Sequence, residues 1–416
     1  MNRETVFVTL CVCATIVTSA AIVSHAGPLS PPAGPVASTA KPLGEIEPRV
    51  AINAVNTPGT IGTAFLISEP GSYYLTGNVS VTNGFASGIT VISNDVTIDL
   101  NGFTLEGNGS SGDGIFANFA QPRNITVRNG TVRGFNNGIR LRTDSINGRL
   151  EDLLVENNSA IGAQVGFDFS VRDCVFRDNG TTGFSARSRL SLKDSSFISN
   201  AVTGVSGEND STVVNCIAHS SGGDDFRFFG TTIFNNCQSV AAGLEGFDLG
   251  ERCQLINCTA FDSFFDGFSA QRSVFQNCVT NGCGADGFDA ELCTLSNCNA
   301  TENLGVGFRL SNCTLLGSLA QENVGGGIVA SGSNISGCTV SNNSSMAAAL
   351  PGISAMGTCF VHRNIVFDNG GEGIVATGGG NSIVQNSLRG DSAVNNSGSS
   401  TVADGLITNP WANFVN

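Results

Sequence analysis

Residues 284–303 read GADGFDAELCTLSNCNATEN, and residues 243–263 read GLEGFDLGERCQLINCTAFDS. Each stretch has two cysteines five residues apart and an acidic residue directly before Gly-Phe. A metal site, a disulfide framework or one rung of a repeat would each account for that, so the spacing along the rest of the chain has to decide. A glycine followed by an apolar residue recurs at Gly88, Gly114, Gly138, Gly183, Gly204, Gly246, Gly267, Gly287, Gly307, Gly327, Gly352 and Gly373. Gly162-Ala163 and Asp225-Phe226 stand on the two remaining rungs. After three longer steps the beat is 21 residues, then 20, with one step of 25 before Gly352.

Other columns keep the same beat. Cys174, Cys216, Cys237, Cys258, Cys278, Cys298 and Cys338 share one phase, with Ser195 and Ser318 on the vacant rungs. Cys253, Cys293, Cys313 and Cys359 share a second, interleaved with Ser273 and Ser333. Asparagine recurs at 179, 200, 303, 323 and 343, and phenylalanine at 184, 226, 247, 268, 288 and 308. The two cysteines of the opening stretch therefore belong to two columns seen in one rung.

Which solenoid this is follows from the segments between turns. They are short and rich in β-branched residues, as in STVVNCIAHS (211–220), and have neither a 3.6-residue period nor a leucine-rich frame. Coils of 20–21 residues with three short strands and tight turns predict an all-β, single-stranded, right-handed parallel β-helix of about 13–14 coils. In-register stacking explains the columns, because each inward side chain packs on its equivalent one coil away. Phenylalanines stack offset, buried cysteines fill space as small hydrophobes, and asparagine takes a left-handed turn position and bonds the next turn's backbone. Neighbouring coils bring cysteines within disulfide reach, and export would permit such bonds. The serine interruptions favour a ladder of reduced thiols, with Cys283, in the asparagine register, the one expected to be exposed. No Cys-x-x-Cys pair supports a zinc site.

Composition sets the compartment. Arg3 precedes an apolar run from Val6 to Val23, and Ser24 and Ala26 supply small residues for cleavage, so 1–26 reads as a signal peptide, with an uncleaved anchor as the alternative. Residues 27–50 read as a proline-rich linker, 51–390 as the β-helix with 51–87 as its N-terminal cap and first strands, and 391–416 as a C-terminal cap or tail in which Trp411 packs. The expected location is exported: extracellular, periplasmic or at the cell surface, with no membrane span after cleavage. The net charge of −14 and only two lysines, Lys41 and Lys193, exclude nucleic acid as a partner.

The segments PGSYYLTGNVSV (70–81), GITVISNDVTIDLNGFTLEG (88–107) and NITVRNGTVRGFNNGIRL (124–141) resemble the opening coils of secreted bacterial β-helix repeat proteins. These belong to the pectate-lyase-like superfamily, in its carbohydrate-binding and sugar-hydrolase branch. The resemblance spans about residues 65–390. It implies the fold, and it implies little about activity, since lyases, hydrolases, epimerases and adhesins share the repeat.

Asp224, Glu245, Asp266 and Asp286 precede the Gly-Phe anchor on four successive coils and should line one edge about 5 Å apart. With Asp225 they are the catalytic candidates, as carboxylates for glycoside hydrolysis. Asp248, Asp266, Asp286 and Asp289 are the candidates for holding calcium, the one cofactor the row would suit. The contrary expectation is a solvated acidic edge in which Arg227 pairs with Asp248 and Arg309 with Asp289. A polygalacturonase-like hydrolase would need Asn-Thr-Asp, Gly-His-Gly and Arg-Ile-Lys segments, and only the paired aspartates of GGDDF (222–226) are present. His219 and His362 stand far apart in the mature chain, which argues against hydrolase triads. Phe264 and Phe265 are the surplus aromatics of the central coils and the candidate carbohydrate contacts. The expectation is thus a structural or binding protein contacting polysaccharide, with a polysaccharide lyase or glycoside hydrolase as the alternative. The oligomeric state is not legible.

Overall fold

The computed structural model describes residues 48–82, 84, 86–344, 349–390, 394–396, 401–402 and 412–415. The signal segment, the linker up to residue 47 and Trp411 lie outside the described residues. From Arg49 onward the chain forms one unit, a parallel β-solenoid of about 16 turns, with no helix among the described residues.

One coil shows how the repeat folds. Phe268–Gln271 lies in a first sheet, Val274–Gln276 in a second and Val279–Asn281 in a third, before the chain turns into Phe288–Glu291 one coil on. The pairings are parallel and in register, with Phe268 opposite Phe288, Phe275 opposite Leu295 and Thr280 opposite Ala300. The strands are this short because a left-handed residue bends the chain after each of them: Arg272 (φ 49°) and Asn277 (φ 54°) in this coil. Nearer the N-terminus, Thr126–Phe135 and Arg149–Glu156 run through the second and third sheets as single strands, bent at Asn129 and Asp152.

The Gly-apolar anchor counts fourteen rungs, and the solenoid extends one rung further at each end. Thr63–Ile67 pairs with Ser87–Val91, and Asn395–Asn396 pairs with Val375 and Ala376. Neither has glycine at the anchor position, where Ala64 precedes Phe65, so the anchor column cannot reveal them. An antiparallel strand, Pro58–Thr60, folds back on the first rung.

The interior is built of columns. Phe226, Phe247, Phe268, Phe288 and Phe308 are fully buried and stack with ring centroids 4.6–5.0 Å apart. Phe234 and Phe275 meet that stack edge-on from the second sheet. All twelve cysteines after residue 26 are buried free thiols. They do more than fill space. The Cys174 backbone N–H donates to Ser195 Oγ one coil on (3.2 Å), Ser273 N–H donates to Cys293 Sγ (3.2 Å), and Cys338 N–H donates to Asn364 Oδ1 (2.9 Å). Cysteine, serine and asparagine therefore interchange in these columns because each offers an acceptor to a turn amide.

Two expectations are corrected. The asparagine column does not occupy the left-handed position, which falls one residue earlier, at Asp178, Ser199, Glu302, Glu322 and Asn342. That bend turns Asn179, Asn200, Asn303, Asn323 and Asn343 inward, where they form a buried amide ladder with Nδ2–Oδ1 distances of 2.8–3.0 Å. Cys283, expected to be exposed, is fully buried for the same reason: it occupies a ladder position, and its N–H donates to Asn303 Oδ1 (3.0 Å).

Candidate functional site

The row of acids lies on the turn that leads into the first sheet. Backbone bonds from Gly246 N–H to Asp266 O and from Gly267 N–H to Asp286 O stack its members coil on coil. Part of the row is structural. Asp224 is nearly buried, and its Oδ1 accepts from Glu245 N–H (3.3 Å). Asp266 Oδ1 accepts from Asp286 N–H and Asp286 Oδ1 from Val306 N–H, both at 2.7 Å. Each carboxylate thus caps a turn amide of the following coil.

Two arginines bracket the row. Arg227 reaches Asp224 (3.6 Å) and Asp248 (3.3 Å), the second contact as expected from their register. Arg309 does not pair with Asp289, although the two are register neighbours. Its Nε and Nη2 both turn to Asp286 instead. Asp286 is the less solvated carboxylate, so a guanidinium fork gains more there than against the half-open Asp289.

Between the arginines, Glu245 and Asp266 have no ion pair among the described residues. Burial and a shared hydrogen bond with Asp224 push Glu245 up to about 7. Burial, reinforced by Asp286 and Asp289, pushes Asp266 up to about 6 against the opposing bond from the Asp286 amide. Asp248 and Asp289 are also raised, by burial and then by their neighbouring carboxylates. Proton retention near neutrality is what a general acid requires, and it is also what like charges crowded without counter-ions produce.

Asp225 stands apart from the row. It is fully buried inside the coil, where its carboxylate accepts from Ser221 N–H (3.2 Å), Ser239 Oγ–H (2.7 Å) and Val240 N–H (3.2 Å). The adjacent aspartates of GGDDF therefore point to opposite sides of the chain, and only Asp224 belongs to the acid row. The four calcium candidates do not assemble either: among the described residues no group of three or more Asp, Glu, His or Cys is placed to hold a metal ion.

Phe264 and Phe265 sit on the turn just before Asp266, 68% and 43% exposed, with their rings edge to face at 5.3 Å. Sequence reasoning missed their apolar companions: Leu244, directly before Glu245, and Leu304 are exposed on the same edge. It also missed the groove beside the row. Outward residues of the first sheet, including Asp248, Ser269, Gln271, Asp289, Glu291 and Arg309, line a depression of about 640 Å³. The signal for it was present, because these are the alternate positions after each buried phenylalanine.

Residues 66–218 match the family model described as the right handed beta helix region. The fold is a right-handed parallel β-helix. The matched residues include all three opening segments whose sequence carries the resemblance. Nothing among curated proteins matches the chain. Among solved structures the β-helix is similar to the A-module of the mannuronan C-5 epimerase AlgE4 from Azotobacter vinelandii, at 14% identity over 88% of each chain (TM-score 0.28). It is similar to the pectate lyase Pel9A at 16% identity over 64% of this chain and 75% of that one (TM-score 0.32). A third similar structure is the receptor-binding domain of the siphovirus 9NA tailspike, at 10% identity over 82% of this chain and 74% of that one (TM-score 0.37). None of these likenesses bears on activity.

Proposed function

We propose that this β-helix is an exported glycan-binding protein that holds an extended polysaccharide against the first sheet, between Arg227 and Arg309. The observation that supports it most is a polar open groove on the first sheet together with exposed aromatic rings on the turn that leads into that sheet. Polar outward residues supply hydrogen bonds for sugar hydroxyls, and Phe264 and Phe265 supply a platform for sugar faces. Seven carboxylates against two arginines make this surface hostile to uronic acid polymers, so an uncharged or cationic glycan fits better than pectate or alginate. The test is titration calorimetry of the mature chain against neutral and acidic polysaccharides, with and without calcium. Binding of a neutral or cationic glycan that is lost in the double variant Phe264→Ala, Phe265→Ala is expected, and silence across the panel would refute it.

One observation favours a second function, glycoside hydrolysis. Glu245 and Asp266 retain their protons unusually late, and Asp248 and Asp289 lie beside them as partner carboxylates. Release of reducing ends that disappears in Asp266→Ala would establish catalysis over binding alone.

A further inference from the structure

The edge carrying Phe264 and Phe265 is a two-row surface. Backbone bonds from Phe264 N–H to Ala242 O, from Gly284 N–H to Ser263 O and from Leu304 N–H to Cys283 O set Phe264 and Leu304 in one row across three coils. Bonds from Leu244 N–H to Gly223 O and from Phe265 N–H to Leu244 O set Leu244 and Phe265 in the next. The chain then steps directly into the acid row, as Leu244-Glu245 and Phe265-Asp266. Large apolar side chains therefore stand beside a carboxylate on two adjacent coils, and the apolar row reaches Leu304 two coils further on. Arg227 and Arg309 are engaged with Asp224, Asp248 and Asp286, and Glu245 and Asp266, next to the rings, have no ion pair among the described residues.

We infer that the occupant of this surface is a polysaccharide of amino sugars carrying free ammonium groups. This rests on the glycan-binding function proposed above and names the class of glycan. Three features support it. The coil spacing of about 4.8 Å is close to the rise of one sugar in an extended chain, so ammonium groups on neighbouring sugars would meet Glu245 and Asp266 on adjacent coils. A cation next to an aromatic face is favoured over a neutral group, and Phe265 adjoins Asp266. The local excess of negative charge both attracts the polymer and rejects its acidic competitors.

Calorimetry on the mature chain with a glucosamine hexamer, an N-acetylglucosamine hexamer, a glucose hexamer and poly-lysine tests the assignment. The glucosamine hexamer should bind at least about tenfold more tightly than either neutral sugar, with the advantage shrinking at high salt. The double variant Glu245→Gln, Asp266→Asn should erase that advantage. Phe264→Ala with Phe265→Ala should weaken all three sugars, and Glu322→Gln should change nothing. The amide at 266 keeps an acceptor for the Asp286 amide, and the two rings are exposed, so melting temperatures near wild type will confirm folding. Equal affinity for charged and neutral hexamers would overturn the cationic preference and leave glycan binding standing. Poly-lysine binding with no sugar bound would overturn both.

Discussion

The flanking coils and the central coils solve the same interior problem differently. On the flanks, Asn158, Asn179 and Asn200, and again Asn303, Asn323, Asn343 and Asn369, form continuous amide stacks. Each stack satisfies the turn amides of its neighbours. In the centre the same register holds Ser221, Ala242, Ser263 and Cys283, and the ladder is broken. Those are also the coils that carry the acid row and most of the stacked phenylalanines. The comparison explains the glycine anchor. A Cβ at Gly183 would stand 2.6 Å from Asn200 Nδ2, and one at Gly307 2.7 Å from Asn323 Nδ2. The next coil's anchor carbonyl stands as close, 2.6 Å at Gly183 and 2.7 Å at Gly307, so carbonyl and ladder amide together occupy the space a side chain would need. Where Ala242 removes the amide, Asp225 replaces the glycine, and its carboxylate takes the Ser221 amide that an asparagine at 242 would have taken. The two exceptions compensate each other.

The largest effect should come from breaking an intact stack. Asn323 accepts from Asn303 N–H and Nδ2 and donates to Ala300 O and Asn343 Oδ1, all out of water. Asn323→Ala strands several buried polar groups and should cost roughly 3–5 kcal/mol. Urea unfolding followed by circular dichroism would measure this, and a loss under about 1 kcal/mol would show that the ladder does not hold the flanks.

Next comes the exchange at the centre. Asp225→Ala orphans the donors of Ser221, Ser239 and Val240 and should cost roughly 2–4 kcal/mol. Asp225→Gly combined with Ala242→Asn rebuilds the flank arrangement and should recover most of that. Additive losses in the double-mutant cycle would mean that the two positions are not coupled.

These two experiments also mark what was legible in the chain. Columns of Gly, Phe, Cys and Asn give the fold because stacking turns one coil's environment into every coil's. Side-chain direction was harder to read. Asp224 and Asp225 look like a functional pair, yet a strand alternates its faces, and only three-dimensional packing shows one to be a ladder substitute. Arg309 has two carboxylates within reach, and desolvation chooses between them. Leu244 and Leu304 went unnoticed because single leucines carry no motif and matter only once stacking places them beside Phe264 and Phe265.

A smaller effect is expected from pH. Glu245 rises from an ordinary 4.5 to about 7, and Asp266 from 3.8 to about 6, so between those limits the folded chain binds more protons than the unfolded one. Stability should therefore fall as pH climbs from about 4 to about 7, the reverse of a salt-bridged carboxylate. Glu245→Gln should flatten that slope. A melting temperature that rises through this window, in step between wild type and variant, would mean that the central acids are already compensated.

The smallest effect separates a ladder position from a ladder. Ser263 occupies the asparagine register and is fully buried, but its hydroxyl has no hydrogen-bond partner among the described residues. A buried hydroxyl without a partner contributes nothing to the folded state and carries a desolvation penalty. Ser263→Ala should therefore change unfolding free energy by no more than a few tenths of a kcal/mol, or raise it, at a position equivalent to the costly Asn323. A loss near 1 kcal/mol would mean that an ordered water bonds Ser263 and carries the ladder across the gap, so that centre and flanks share one interior mechanism.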